Sequence, residues 1–253
     1  MNQIKPKQSV STEASTGSGI SAYARPILVG LGVVIATLAV ATVVSQIKES
    51  KAKVAREAYF VATQAYQDEV KALTPPAPPK APPSKDGKSK PAEPEQPKPD
   101  DVLYKKVDVD QTFPKTVAAL KAVVQNHPGS LAAFQAEMMY GNINMDHGAA
   151  DRAIAHYDTA AKSAPDSLEK MSALFALAEA QESAGHCAEA VSAIDLALLT
   201  GVATLKGDLL VTQARCYETL KDNTKAKAVY DRIVMELPNT PFSHIAEMQR
   251  AKL

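Results

Sequence analysis

The sequence predicts an all-α chain, in which an N-terminal transmembrane helix is followed by a solenoid of stacked α-hairpins. Three observations predict it. Residues 26–47, "PILVGLGVVIATLAVATVVSQI", run for 22 positions without a charge. A pattern of small residues, Tyr and Pro recurs at intervals of 36–37 residues further on. Outside the N-terminal region the Val/Ile runs are short, and no stretch reads as a strand.

Residues 1–25 are rich in Ser, Thr and Gly and lack apolar periodicity, so they are expected to be a disordered cytoplasmic tail. The apolar run that follows has the length of a bilayer-spanning helix, about 20 residues. A helix that is apolar all round over such a length is not a surface helix of a small soluble domain. "AVA" at 39–41 offers a signal-cleavage site, but the run continues past it, which favours an uncleaved anchor. Lys5, Lys7 and Arg25 on one flank balance Lys48, Lys51, Lys53 and Arg56 on the other, so charge does not set the orientation.

Residues 48–73 place Tyr59, Ala62, Tyr66, Val70 and Leu73 on one helical face with charges around it, an amphipathic helix that needs a partner. Residues 75–111 follow as a Pro-rich loop or linker, with ten prolines between 75 and 100. Residues 112–253 hold the repeats. Within them, 114–126 is a helix with Val117, Leu120 and Val123 at helical spacing and Pro128 as its stop. It has the position of the second helix of a hairpin, yet no first helix directly precedes it. The 48–73 helix is expected to be that missing partner, with the Pro-rich segment as a loop inside the first hairpin. Closing a loop of this length adds little, because the entropy cost grows only as (3/2)RT ln n.

Three full units follow. Ala153, Tyr157, Ala160 and Pro165 have the same spacings as Ala226, Tyr230, Ile233 and Pro238, and Ala190, Ile194, Ala197 and Val202 stand between them. Spacings of 3 and 4 put these residues on one helix face, where small side chains let helices approach and Tyr fills the gap. Gly148 and Gly185 occupy the turn before each second helix; Lys221 holds that slot in the third unit, so its turn is less marked. A single hairpin cannot bury its apolar face, so the units must stack.

This pattern resembles the tetratricopeptide repeat over about residues 131–241, with a period slightly longer than usual for that family. The resemblance implies a protein-binding scaffold and a tetratricopeptide-like α-hairpin solenoid. The first helices of such units line a groove. Here that face would carry Gln135, Met138, Asn142 and Met145, then Ser172, Phe175, Glu179 and Glu182, then Val211, Arg215 and Glu218. Met138, Met145 and Phe175 would be apolar residues open to a partner, and Met adapts to varied ligands. Relatives that grip a C-terminal carboxylate use Lys and Arg where this chain has Met138, Asn142, Phe175 and Glu179, so a partner segment of apolar character is expected.

The chain shows no pattern of an enzyme. His127, His147, His156, His186 and His244 are scattered over expected turns or exposed faces, and no metal-ligand spacing, phosphate loop or paired-carboxylate signature occurs. No cofactor, metal or small-molecule substrate is expected. The net charge is +0, and residues 101–253 hold 15 Lys/Arg against 19 Asp/Glu, which argues against nucleic acid. Cys187 and Cys216 fall at helix ends that neighbour each other in a stacked array. They are expected either as small buried residues or as a disulfide, given Cα atoms within about 7 Å and an oxidising compartment.

A short tail, one span, a helix and repeats resemble, in their order, the YfgM-like single-span ancillary subunit of the bacterial Sec translocon. "KTVAALKAVVQNHPGSLAAFQAEMMYG" (115–141) carries most of that likeness. It implies an inner-membrane, single-pass adaptor, with repeats in the periplasm, between the translocon and periplasmic chaperones. The Pro-rich insertion departs from that layout. The alternative is a structural scaffold in another envelope complex, for secretion, motility or division.

Overall fold

The computed structural model describes the backbone of residues 18–74 and 106–253 and the side chains of residues 37–74 and 106–253. Residues 1–17 and nearly all of the expected Pro-rich segment lie outside the described residues. The chain divides into two compact units, residues 1–50 and 51–253.

In the first unit the described part is helix α1, which runs Ser18–Leu73 and so continues into the second unit. It starts inside the segment expected as a disordered tail. Leu38, Val40, Val43, Val44 and Ile47 are all exposed on it. The hydroxyls of Thr42 and Ser45 donate to backbone carbonyls three residues back, so their polarity is spent within the helix. Among the described residues no helix is long and apolar enough to cross a membrane. Residues 26–36, half of the expected span, are outside the described side chains.

The second unit is a succession of helical hairpins with no strand among the described residues. After α1 come α2 (Val109–Thr112), α3 (Pro114–Asn126), α4 (Leu131–Asp146) and α5 (Ala150–Ser163). Then follow α6 (Ser167–Ser183), α7 (Cys187–Leu198), α8 (Lys206–Thr219), α9 (Asn223–Glu236) and α10 (Pro241–Arg250). Short side chains start the helices where the chain turns. Ser130 accepts from Ala133 N–H, Asp166 from Leu168 and Glu169, and Asp222 from Lys225. Thr240 and Ser243 form a capping box at α10.

The expected first hairpin is present. Ala55 and Ala62 are buried on α1, with Tyr59, Tyr66 and Val70 packed around them against Val109, Phe113, Val117, Leu120 and Val123. The Tyr66 and Phe113 rings lie 5.2 Å apart. Glu69 fixes the pairing: its carboxylate accepts from the N–H groups of Lys115 and Thr116 at 2.9 and 3.0 Å, and from the Thr116 hydroxyl at 2.6 Å. A carboxylate on a helix N-terminus satisfies unpaired donors and meets the positive end of the helix dipole. Leu73, expected on the same buried face, is exposed, because α3 begins opposite Glu69 and leaves nothing for Leu73 to cover. The segment 75–105 therefore joins the two helices of one hairpin.

The end of the expected linker differs too, since residues 109–112 form α2. Its Asp110 takes the Tyr140 hydroxyl and the Arg152 guanidinium, while Asp108 takes Arg152 at 3.3 Å. The Tyr140 hydrogen bond, followed by the Arg152 and Lys121 charges, holds the Asp110 carboxyl below its ordinary range. This cluster ties α2 to the first full unit.

The three expected turns share one geometry. Ala149 N–H donates to Asn144 O, His186 to Gln181 and Asp222 to Tyr217, each a six-residue closure after the last helical turn. Gly148 and Gly185 take positive φ there, 69° and 82°. Lys221 leaves the third turn less marked in the sequence, yet it adopts the same left-handed conformation at φ 62°. The hydrogen bonds of the turn, together with the packing of α9 on α8, override the preference of its side chain.

Contacts between next-but-one helices run along the first helix of each unit, from α6 to α8 and from α8 to α10. First helices therefore crowd on one side of the stack, and that side is the inner one.

Candidate protein-binding groove

The inner face is built from α4, α6 and α8. Close approach within each unit sets its position. Gly141 on α4 faces the Tyr157 ring of α5 so closely that a Cβ there would lie 2.4 Å from the ring. Tyr157 is buried and donates to Asn142 at 2.6 Å. Burial first, then the nearby Asp146 and Glu179 charges, push the Tyr157 hydroxyl up, so it stays a donor.

Met138, Met145 and Phe175 are half-buried. Each packs one side against the central core of Phe134, Tyr157, Met171, Leu174 and Leu177 and leaves the other side open. They are thus less free than the sequence suggested, because helix crowding covers their inner edges. Gln135 and Ser172 are half-buried, and Val211 packs on the third unit's core.

The polar members divide into engaged and free groups. Arg215 makes a two-pronged contact with Glu182, at 2.8 and 2.6 Å, bridging α8 to α6. Glu218 accepts the Tyr230 hydroxyl at 2.9 Å. Asn142 is exposed and accepts from Tyr157. Glu179 is exposed at the centre of this line. Partial burial pushes its carboxyl up, the Arg215 charge pulls it down, and Glu182 and Asp208 push it up again. Asp208 was not anticipated from the sequence, although it lies seven residues before Arg215 on the same helical face. The groove is a mixed surface, with apolar patches over its first two units and a net acidic rim around Arg215.

Two histidines differ from expectation. His147 is buried at the end of α4, its ring 5.1 Å from Phe113. His156 is half-buried, 2.7 Å from Glu137, and stacks on Tyr140 at 3.9 Å. His147 ties the first unit to the hairpin before it, while His156 ties α5 to α4 within the unit. Cys187 and Cys216 are brought together and are both buried, as free thiols.

No group of three or more His, Cys, Asp or Glu able to hold a metal ion occurs among the described residues. The arrangement provides an open, mixed apolar and acidic surface for contact. No curated protein matches the chain. The tetratricopeptide-repeat family model matches residues 208–240, which cover most of α8, all of α9 and the Pro238 stop, and this likeness supports a tetratricopeptide repeat in the third unit.

Proposed function

We propose that the chain is a non-enzymatic, membrane-anchored adaptor that binds protein partners through the α4–α6–α8 groove. The observation that carries this reading is the inner face itself: Met138, Met145 and Phe175 half-open beside the unpaired Glu179. Half-open apolar side chains on rigid helices suit a partner segment with apolar anchors. Glu179, Asp208 and the Glu182 edge favour a segment that also carries a Lys or Arg.

The membrane anchor is residues 26–47, and the repeats stand on the periplasmic side of a bacterial inner membrane. The uncharged run of 22 residues supports the anchor, and the exposed Leu38–Ile47 apolar surface fits it. The order of elements supports the finer reading, in which the protein links the Sec translocon to periplasmic chaperones.

Affinity isolation of the full chain in mild detergent tests this. Translocon subunits and periplasmic chaperones should be recovered together, and Glu179→Lys should lower recovery about tenfold while leaving thermal unfolding unchanged. Recovery that is indifferent to Glu179→Lys would remove the groove from the account. Recovery of secretion, motility or division components instead would favour the scaffold reading. A reporter fused after Leu253 that is active only in the cytosol would reverse the topology.

A further inference from the structure

The chain has two cysteines in 253 residues, and the fold buries both in one apolar cluster, on the packed helices α7 and α8. Cys187 is the first residue of α7 and Cys216 lies in the last turn of α8, so they come from consecutive units. The two residues are 2% and 0% exposed in that cluster, and Cys187 is among the groups that perturb the Cys216 thiol. Arg215, next in sequence, already bridges the same pair of units through Glu182.

We propose that Cys187 and Cys216 are a redox-modification site, oxidised to a disulfide that staples the second repeat unit to the third. The co-reactant is of the disulfide class, a thiol–disulfide oxidoreductase or glutathione disulfide. One cysteine thiolate attacks the oxidant's S–S bond, forms a mixed disulfide and releases one oxidant thiol. The second cysteine attacks that mixed disulfide, closing the Cys187–Cys216 bond and releasing the other oxidant thiol. Two protons and two electrons leave the chain, and the oxidant ends as two thiols.

Access dictates when this happens. Burial pushes the Cys216 thiol up, and Cys187 adds to that shift, so in the fold Cys216 is a poor nucleophile and both sulfurs are shut off from an oxidant. Oxidation therefore takes place while the third unit is not yet docked, during folding or in a local opening. Once closed, the bond spans 29 positions and fixes an interface that a solenoid otherwise holds by nearest-neighbour packing alone.

The test uses the full chain in detergent, refolded either with a reductant or in oxidised glutathione. The oxidised protein should be about 2 Da lighter, with Cys187 and Cys216 in one linked peptide pair. Its unfolding temperature should rise by roughly 10 °C. Cys187→Ser and Cys216→Ser should each abolish both changes. Two free thiols after refolding in oxidised glutathione, glutathione adducts that persist, a bond between chains, or a lowered unfolding temperature would each overturn the proposal. None of these readouts depends on the partner of the groove.

Discussion

Replacing Gly141 with alanine puts a methyl group 2.4 Å from one Tyr157 ring carbon and under 3 Å from two others. The ring has little room to retreat. It is 3% exposed, packed in the central core, and held by its hydroxyl on Asn142 at 2.6 Å. Forcing an extra methyl into a packed core costs about 1–3 kcal/mol. Alanine in a helix interior returns about 0.5–1 kcal/mol relative to glycine. The net is a destabilisation of about 1–2 kcal/mol, or roughly 2–8 °C for a unit of this size. Thermal and urea unfolding of Gly141→Ala measure it. A double-mutant cycle isolates the clash: with Tyr157→Ala in place, Gly141→Ala should become neutral or stabilising. If Gly141→Ala alone is as stable as the parent, the close approach of α4 and α5 does not limit this unit and the reasoning fails.

Two further expectations come from the connections. Lys221→Gly should stabilise the chain by about 1 kcal/mol, since it relieves a left-handed side-chain residue at φ 62° while the turn's hydrogen bonds persist; an unchanged or lower urea midpoint would show that the Lys221 side chain contributes elsewhere. Glu69→Gln should cost about 1 kcal/mol at neutral pH by weakening the cap on α3. Burial pushes the Glu69 carboxyl up, but the Thr116 hydroxyl and the N–H groups of Lys115 and Thr116 outweigh it and hold it below its ordinary value. A carboxyl lowered in the folded state stabilises above its unfolded value and loses that contribution as pH falls through the folded one. The difference between parent and Glu69→Gln should therefore shrink in acid below about pH 4, and a difference that is flat with pH would exclude the cap.

The hairpin stack was legible because its signals are periodic and local. The Ala–Tyr–Ala spacing marks the buried face of each second helix, and Pro165 and Pro238 mark the stops. Even the pairing of α1 with α3 could be inferred, since α1 has an apolar face without a partner in sequence and α3 has the register of a second hairpin helix with no first helix directly before it. What escaped were effects of neighbours far along the chain. Glu69 reads as one more charge on an amphipathic helix until the N-terminus of α3 arrives, 46 positions away, to receive it. Asp110 reads as part of a linker until Tyr140 and Arg152 converge on it. At the groove, spacing identified the face, but how far Phe175 and Met138 stay open depends on how tightly successive first helices crowd. Likewise, Glu182 and Arg215 are on the expected face, yet their pairing across units is a property of the stack.

The first hairpin is closed over residues 75–105, and its two halves are held by Ala55, Ala62, Tyr66, Phe113 and Leu120 and by the Glu69 cap. Covalent continuity through that segment is thus separate from the cohesion of the fold. A single proteolytic cut there would leave α1 bound to the repeats as a non-covalent peptide. The chain could be made as two co-expressed fragments, or carry an inserted reporter between positions 75 and 105, and still assemble.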